Sequence, residues 1–451
     1  MPLTWGCGPR IIITVKKVAR PFSQSPRRGG ATNEKEPKNM NMKCKFLGGA
    51  DMVGRMGMTM EGDGMTALIE YGLSPTKPPE YPLPAPRIDY AFLTHSHLDH
   101  CGMLPRICGK NDCDLFTTPL SAEVSELMLY DTLKIAKAED YPQPYTTGDI
   151  EKTMRSVVPM TYNDQITINH LDVTMLDAGH IPGAAMFQFD KDVTTIYSGD
   201  IHTEPQRLVG GVRPHDCTTL FVEGTYGGRN HTDRKQTERA LIAKIDEVID
   251  RGGKVLIPCF ANGRTQEIML LLRSLDYEMW VDGMGRSVTR LFLDYPEYIK
   301  DAKHLREAKR RFNEVRNSNS RLSAIKGDII VTTGGMLDGG PALGYLEAIK
   351  NDPKSAVLMV GYQAEDTNGR MLLEEGCVKI KGEIVKITCE LQKYDFSAHA
   401  DHSQIVDFIR KCDPDNVIIM HSESREAFLP DLEGDYNVFL PNTGEEFTLD
   451  M

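Results

Sequence analysis

Directly after the strand-like run Tyr90–Thr94, four candidate metal ligands fall within six residues: His95-Ser96-His97-Leu98-Asp99-His100. Imidazole and carboxylate are the donors that a borderline divalent ion such as zinc accepts. In extended backbone alternate side chains project alike, so His95 and His97 can address one ion together. Asp99 and His100, at the following turn, can address a second. A solvated histidine-rich loop is the plain alternative, and the weaker one.

The composition permits a large soluble body around this run. At 451 residues the chain exceeds one ordinary domain and can bury two cores. Its 40% apolar and 26% charged content is ordinary for a globular protein. No uncharged apolar run approaches the roughly 20 residues that span a bilayer. The ten cysteines are scattered without a CxxC pair, Cys108 and Cys113 being the nearest two. That points away from a disulfide framework or a cysteine zinc knuckle and toward a reduced, cytoplasmic setting. A net charge of −12 argues against non-specific coating of nucleic acid, yet permits a local positive groove.

Residues 1–41 read differently. They hold eight Lys/Arg against Glu34 and Glu36, and removing that excess of six leaves −18 for the remainder. Almost free of apolar residues from Pro21 to Asn41, this basic tail is expected to be disordered. Ile11–Val15 lacks a signal-peptide layout. A flexible tail, or a start at Met40 or Met42, accounts for the segment better than contact with RNA.

From Lys43 onward, β-rich runs are punctuated by glycine: Lys43–Leu47, Thr66–Glu70, Tyr90–Thr94, Val173–Leu176, Thr194–Tyr197 and Thr219–Val222. They predict a layered α/β domain with its sheets inside. Beyond Gly227 the pattern alternates. Helix Thr237–Ile249 carries Leu241, Ile245, Val248 and Ile249 at helical spacing. Strand Val255–Phe260, helix Thr265–Leu275 and strands Glu278–Asp282 and Asp328–Thr333 come next. Helix Leu343–Lys350 and strand Ala356–Gly361 complete the series. Such alternation predicts an inserted unit with a largely parallel sheet. Helix Ser403–Arg410 and strand Asn416–Met420 return to the first domain. The expected divisions are a tail over 1–41, a first domain over 42–227 and 386–451, and an insert over 228–385.

The run His95–His100 resembles the HxHxDH signature of the metallo-β-lactamase superfamily, whose fold is an αββα sandwich with its remaining ligands at strand ends. Candidates stand there. His180 follows the strand ending at Leu176, Asp200 follows Ile196-Tyr197-Ser198-Gly199, and His421 follows Val417–Met420. By this resemblance His95, His97 and His180 hold one zinc ion, Asp99, His100 and His421 hold a second, and Asp200 bridges them. The family usually has aspartate where Glu70-Tyr71-Gly72 stands. Glu70 is expected to orient a ligand imidazole, and glutamate does so only with a small shift of backbone.

Segments beyond Asp200 narrow the branch. Phe221–Gly227, Ile257–Glu267, Thr332–Leu337, Gly361–Ala364 with Gly369-Arg370, and Phe396–Asp401 are similar to the β-CASP nucleases. The insert is therefore expected to be a β-CASP α/β domain. The chain resembles archaeal homologues of the endonuclease subunit of the eukaryotic pre-mRNA cleavage and polyadenylation factor, in the short form without a KH module, and is related to ribonuclease J. Glu223, His399 and His421 match the three motif positions of that family. By family pattern, RNA-cleaving members carry histidine at the third and the DNA-repair branch usually carries valine, so single-stranded RNA is the expected substrate.

A phosphodiester hydrolase must supply a nucleophile, offset charge on a phosphorane-like transition state and protonate the leaving alkoxide. Two zinc ions supply the first two. His399, oriented by Glu223, is expected to be the general acid, with Asp99 serving the metal and the catalytic set together. Loss of the 3′-oxygen leaves a 5′-phosphate and a 3′-hydroxyl. Gly334 and Gly335 can offer N–H groups to phosphate, and Ser397 and Arg264 can contact substrate. Their plainer readings are a tight turn, a turn hydroxyl and an internal ion pair. Lys303–Lys326 holds eight basic residues against Glu307 and Glu314, which suits either a wall for RNA or a solvated helix face. His202, His215, His231 and His402 are read as structural. The rivals are a glyoxalase-type thiolester hydrolase, a DNA-directed β-CASP nuclease and an inactive RNA-binding scaffold. Endonuclease against 5′→3′ exonuclease action stays open, as does homodimerisation.

Overall fold

Alternation within single strands decides how the layers form. In Thr219–Glu223, Phe221 turns into one core while Leu220 and Val222 turn into another. Ile418 and Met420 separate from Val417 and Ile419 in the same way along Asn416–Met420. A strand covered on both faces reads as a continuous apolar run. The computed structural model describes residues 41–450, so the expected basic tail up to Met40 lies outside the described residues.

Two seven-stranded sheets stack face to face. The first runs in the order Glu446–Asp450, Asn41–Gly48, Gly57–Gly62, Met65–Tyr71, Tyr90–Phe92, Asp114–Thr117 and Val157–Pro159. The second runs Asn437–Phe439, Asn416–Met420, Thr219–Glu223, Thr194–Tyr197, Ala185–Asp190, Leu171–Asp177 and Gln165–Ile168. Phe46, Phe92 and Phe116 of one sheet meet Phe187, Phe189 and Phe221 of the other between them. Each ring buried there contributes roughly 1.5–3 kcal/mol. Helices Pro119–Ala138 and Thr147–Arg155 cover the first sheet through Leu129, Leu133 and Ile150. Helix His402–Cys412 covers the second through Ile405, Phe408 and Ile409. This is the expected αββα sandwich.

The insert is a six-stranded parallel sheet, ordered Asn313–Glu314, Met279–Asp282, Ile329–Thr333, Val255–Cys259, Ala356–Met359 and Glu390–Lys393. Val255, Ile257 and Val331 pack into one face, Leu256, Ile330 and Val357 into the other. The expected close of the insert at residue 385 falls short. Glu390–Lys393 pairs in parallel with Ala356–Met359, so the sheet runs on to Lys393. As an exposed edge, that strand carries no apolar alternation to announce it.

Helices absent from the sequence reading include Pro119–Ala138, Thr147–Arg155, Gly285–Asp294 and Asn368–Glu375. The first buries Ser121 and Ser125 among its apolar residues, which blurs its stripe, and the Ser121 hydroxyl donates to Gly183 O at 2.9 Å. Among the described residues no helix is long and apolar enough to cross a membrane.

Candidate metal centre

Backbone at strand ends sets the site. Met58 pairs with Ile69 and Gly57 with Tyr71, so Glu70 is the extra residue of a bulge, held at φ 63°. Fully buried, Glu70 accepts the Thr94 N–H at 3.0 Å through Oε1 and lies 3.3 Å from His100 Nδ1 through Oε2. Gly72 is obligatory next to it, because a Cβ there would fall 1.7 Å from the carbonyl oxygen of Asp99. His421 also adopts a left-handed backbone, φ 54°, with its N–H on Gly49 O at 2.7 Å. Such outliers are sustained only by surroundings that over-determine them.

All seven sequence-predicted ligands converge. His97 Nδ1 lies 3.0 Å from His95 Nε2 and 3.2 Å from His180 Nε2. Asp200 Oδ2 stands 3.4 Å from His95 Nε2, 3.7 Å from His180 Nε2 and 3.3 Å from His100 Nε2. Asp99 Oδ2 lies 3.8 Å from His100 Nε2 and 3.5 Å from His421 Nε2, and Asp200 Oδ1 lies 3.4 Å from His421 Nδ1. His95, His97, His180 and Asp200 therefore form one group able to hold an ion, and Asp99, His100 and His421 form a second.

The spacing tests the fit. Ligands 2.0–2.1 Å from a tetrahedral zinc ion are separated by about 3.3 Å. The first group matches that edge. Donor hydrogens are directed away from it: Thr94 Oγ1 lies 2.9 Å from His95 Nδ1, and Ala398 O lies 2.8 Å from His180 Nδ1, which leaves both Nε2 atoms free to ligate. Both ring nitrogens of His100, Asp200 Oδ1 and Glu70 Oε2 are buried without a hydrogen-bond partner among the described residues. Such atoms are costly unless something else satisfies them, and a cation does. His421 differs, because the Gly54 N–H donates to its Nε2 at 3.2 Å and Thr225 Oγ1 lies 3.3 Å from Nδ1. Its ring must release one of these partners to ligate.

Charge inside the cluster follows from burial and neighbours. Burial, then the field of His100, brings His95 down to about 3, and burial with His399 nearby holds His180 well below its ordinary value. Both imidazoles are neutral, as ligation requires. Burial opposes the charged forms of Asp200 and His100, yet their attraction outweighs it: Asp200 is held well below the usual carboxylate range, and His100 is raised by Asp200, Glu70 and Asp99.

His399 lies beside this group at the mouth of the site, its side chain 21% exposed. Its Nδ1 is 3.0 and 2.9 Å from the two oxygens of Glu223, itself fully buried and accepting the Ile201 N–H at 2.8 Å. Burial lowers the His399 pKa, but Glu223 and Asp200 more than offset it and raise it to about 9. Its ring centroid is 4.7 Å from that of His180.

The remaining expected contacts divide. Ser397 Oγ accepts the His399 N–H at 3.0 Å, the arrangement of a turn hydroxyl. Gly334 holds φ 106°, and the N–H groups of Gly334 and Gly335 donate to no partner among the described residues. Arg264 is buried and forms no ion pair among the described residues. In Lys303–Lys326, Arg311 is bound to Leu275 O and Asp276, and Arg321 to Asp282.

Two residues escaped the sequence reading. Asn262 of the insert donates to Ser96 Oγ at 2.9 Å, pinning the turn between His95 and His97. His231, read as merely structural, has Nδ1 2.7 Å from Asp395 and Nε2 3.1 Å from His399 O, and so clamps the His399 loop. Neither residue has a local signal, since each partner lies more than a hundred positions away.

Comparison with known proteins agrees with this geometry. Residues 59–259 match the family described as the metallo-beta-lactamase superfamily, residues 265–372 the Beta-Casp domain, and residues 384–428 the Zn-dependent metallo-hydrolase RNA specificity domain. The chain is 36% identical over 428 residues to a protein named probable RNase MJ4 from Methanocaldococcus jannaschii, covering 90% of this chain and 100% of that one. It is 32% identical to RNase aCSPSF2 of Saccharolobus solfataricus, over 91% of this chain and 86% of that one. It is 33% identical to transcription termination factor FttA of M. jannaschii, over 86% and 68%. A crystal structure of a protein of unknown function from Enterococcus faecalis V583 shares the fold at TM-score 0.58 and 13% identity, covering 91% of this chain and all of that one. Together the family matches imply bound metal ions at the histidine–carboxylate cluster. The chain belongs to the metallo-β-lactamase superfamily, as a metal-dependent hydrolase of its β-CASP branch.

Proposed function

We propose that the protein is a zinc-dependent ribonuclease that hydrolyses phosphodiester bonds of single-stranded RNA and leaves 5′-phosphate and 3′-hydroxyl ends. The observation that carries this reading is the juxtaposition of His399, gripped by buried Glu223, with two adjacent ligand groups, Asp200 of the first lying 3.3 Å from His100 and 3.4 Å from His421 of the second. A thiolester hydrolase of glyoxalase type needs neither His399 nor the insert. Relatives named as ribonucleases support RNA as the substrate class.

In this reading His95, His97 and His180 would hold one zinc ion, Asp99, His100 and His421 would hold the other, and Asp200 would serve the pair. Bound there, the pair would supply Lewis acidity and an activated water at neutral pH. The chain's own part is proton delivery. With its Nδ1–H donated to Glu223, His399 can give up the proton on Nε2 to the departing 3′-oxygen. Asp99, its side chain 26% exposed, is more accessible than His95, His100, His180, Asp200 and His421 beside it. The free N–H groups of Gly334 and Gly335 can receive a phosphate oxygen, and Ser397 holds the His399 backbone. Nine described cysteines are free thiols, in keeping with a reducing cytoplasm.

Digestion of one single-stranded RNA, 5′-labelled in one sample and internally labelled in another, tests the reading. Released mononucleotide marks 5′→3′ exonuclease action and discrete longer fragments mark endonuclease action. Intact RNA in the presence of zinc would reject both. Plasma mass spectrometry of the purified protein should find two zinc ions per chain.

A further inference from the structure

Arg264 opens the helix Arg264–Leu272 just past the strand Val255–Cys259, and Gly263 at φ 88° turns the chain into it. A Cβ on Gly263 would come 2.8 Å from Ile181, so this corner packs directly against the loop carrying His180. Arg264 is 8% exposed, and its Nε and Nη1 are buried without a hydrogen-bond partner among the described residues. An unpaired buried guanidinium is a costly arrangement.

The acids around it cannot serve. Glu267 accepts from Arg207 N at 3.0 Å, Leu208 N at 2.9 Å and Arg234 at 2.7 Å. Asp395 is taken by His231 at 2.7 Å and Ser397 N at 3.1 Å. Arg234, itself paired to Glu267, adds a second positive charge whose field, after burial, lowers the Arg264 pKa to about 10. Tyr226 lies within the field of the Arg264 charge, and its ring centroid is 6.2 Å from that of His399. The corner thus lies close to His399, and the nearby acids Glu267 and Asp395 leave Nε and Nη1 of Arg264 without a hydrogen-bond partner among the described residues.

We infer that Arg264, with Tyr226 and Ser397, forms a subsite for a non-scissile phosphate of the RNA strand, next to the linkage being cut. The inference rests on the ribonuclease reading and deepens it. Arg264 brings a guanidinium that can grip phosphate through two N–H groups, which a lysine cannot reproduce. The anion supplies the charge that the chain itself withholds.

The test is equilibrium binding of a fluorescent 5′-hydroxyl oligoribonucleotide to the full chain, by anisotropy at several salt concentrations, with EDTA present so that nothing is cut. For Arg264→Met the expected Kd is about tenfold weaker, and the slope of log K against log salt falls by about 0.7, one phosphate contact on a single strand. Its Tm should stay level or rise, because an uncompensated buried charge is gone. Arg264→Lys should keep the slope and bind between the two. A wild-type Kd and slope in Arg264→Met overturn the subsite; so does weaker binding with an unchanged slope and a lowered Tm. Failure of the unsubstituted protein to bind RNA would instead overturn the ribonuclease reading, and the subsite with it.

Discussion

Two regions of the molecule are dense in titratable side chains, and they behave in opposite ways. At the metal centre, groups from distant strand ends turn inward, shed water and lie 3.0–3.9 Å apart. In Lys303–Lys326 the charges are crowded along the sequence but point outward. Arg311 and Arg321 are tied to Asp276 and Asp282, Arg316 approaches Glu314, and Lys303, Arg306 and Arg310 are exposed. Local charge density alone therefore does not make a site. Convergence from separate strands does, because only the fold can impose the desolvation that gives each group its leverage.

The sharpest way to break this contrast is to remove the group shared by both halves of the centre. Asp200→Ala should lose at least half its bound metal and slow RNA cleavage by ~10³-fold or more; retained metal and turnover would mean that Asp200 bridges nothing. His399→Ala should keep its metal and lose about 10²–10⁴-fold in rate, with mass spectrometry and single-turnover cleavage measured on the same sample. Wild-type turnover in that variant removes His399 from proton transfer. Glu70→Ala should weaken metal affinity about 10–100-fold in a chelator competition, and Glu70→Asp should recover little, since the bulge that suits the longer side chain remains. Equal affinity in all three proteins would show that His100 needs no partner. At the far end of the scale, Lys309→Glu combined with Arg310→Glu should shift stability by less than about 0.5 kcal/mol and leave KM within threefold. A much larger KM would restore the segment as a wall for RNA.

What sequence could and could not reveal follows the same division. The run His95–His100 was legible by its donor types and spacing, and the candidate ligands His180, Asp200 and His421 through the family resemblance that run carries, each standing just past an apolar strand. The parallel insert was legible from its alternation of helix and strand runs, down to Ala356–Met359. Its last strand, Glu390–Lys393, was not, being a polar edge strand. Glu70 was legible as a departure, but the bulge that accommodates it is a property of pairing with Gly57 and Met58. Asn262 and His231 were invisible because their partners, Ser96 and the His399 carbonyl, are brought to them only by the packing of one domain on the other.

The strand Glu446–Asp450 pairs antiparallel with Asn41–Gly48 in the sheet that carries His95. These two strands lie far apart in the sequence, and translation delivers His421 long after His95, His97 and His100 have emerged. The nascent chain thus exposes three imidazoles without their completing partners, and the sheet beneath them is still missing an edge. A polypeptide stopped before residue 421 would therefore lack one histidine of the cluster and one edge of the sheet that carries His95.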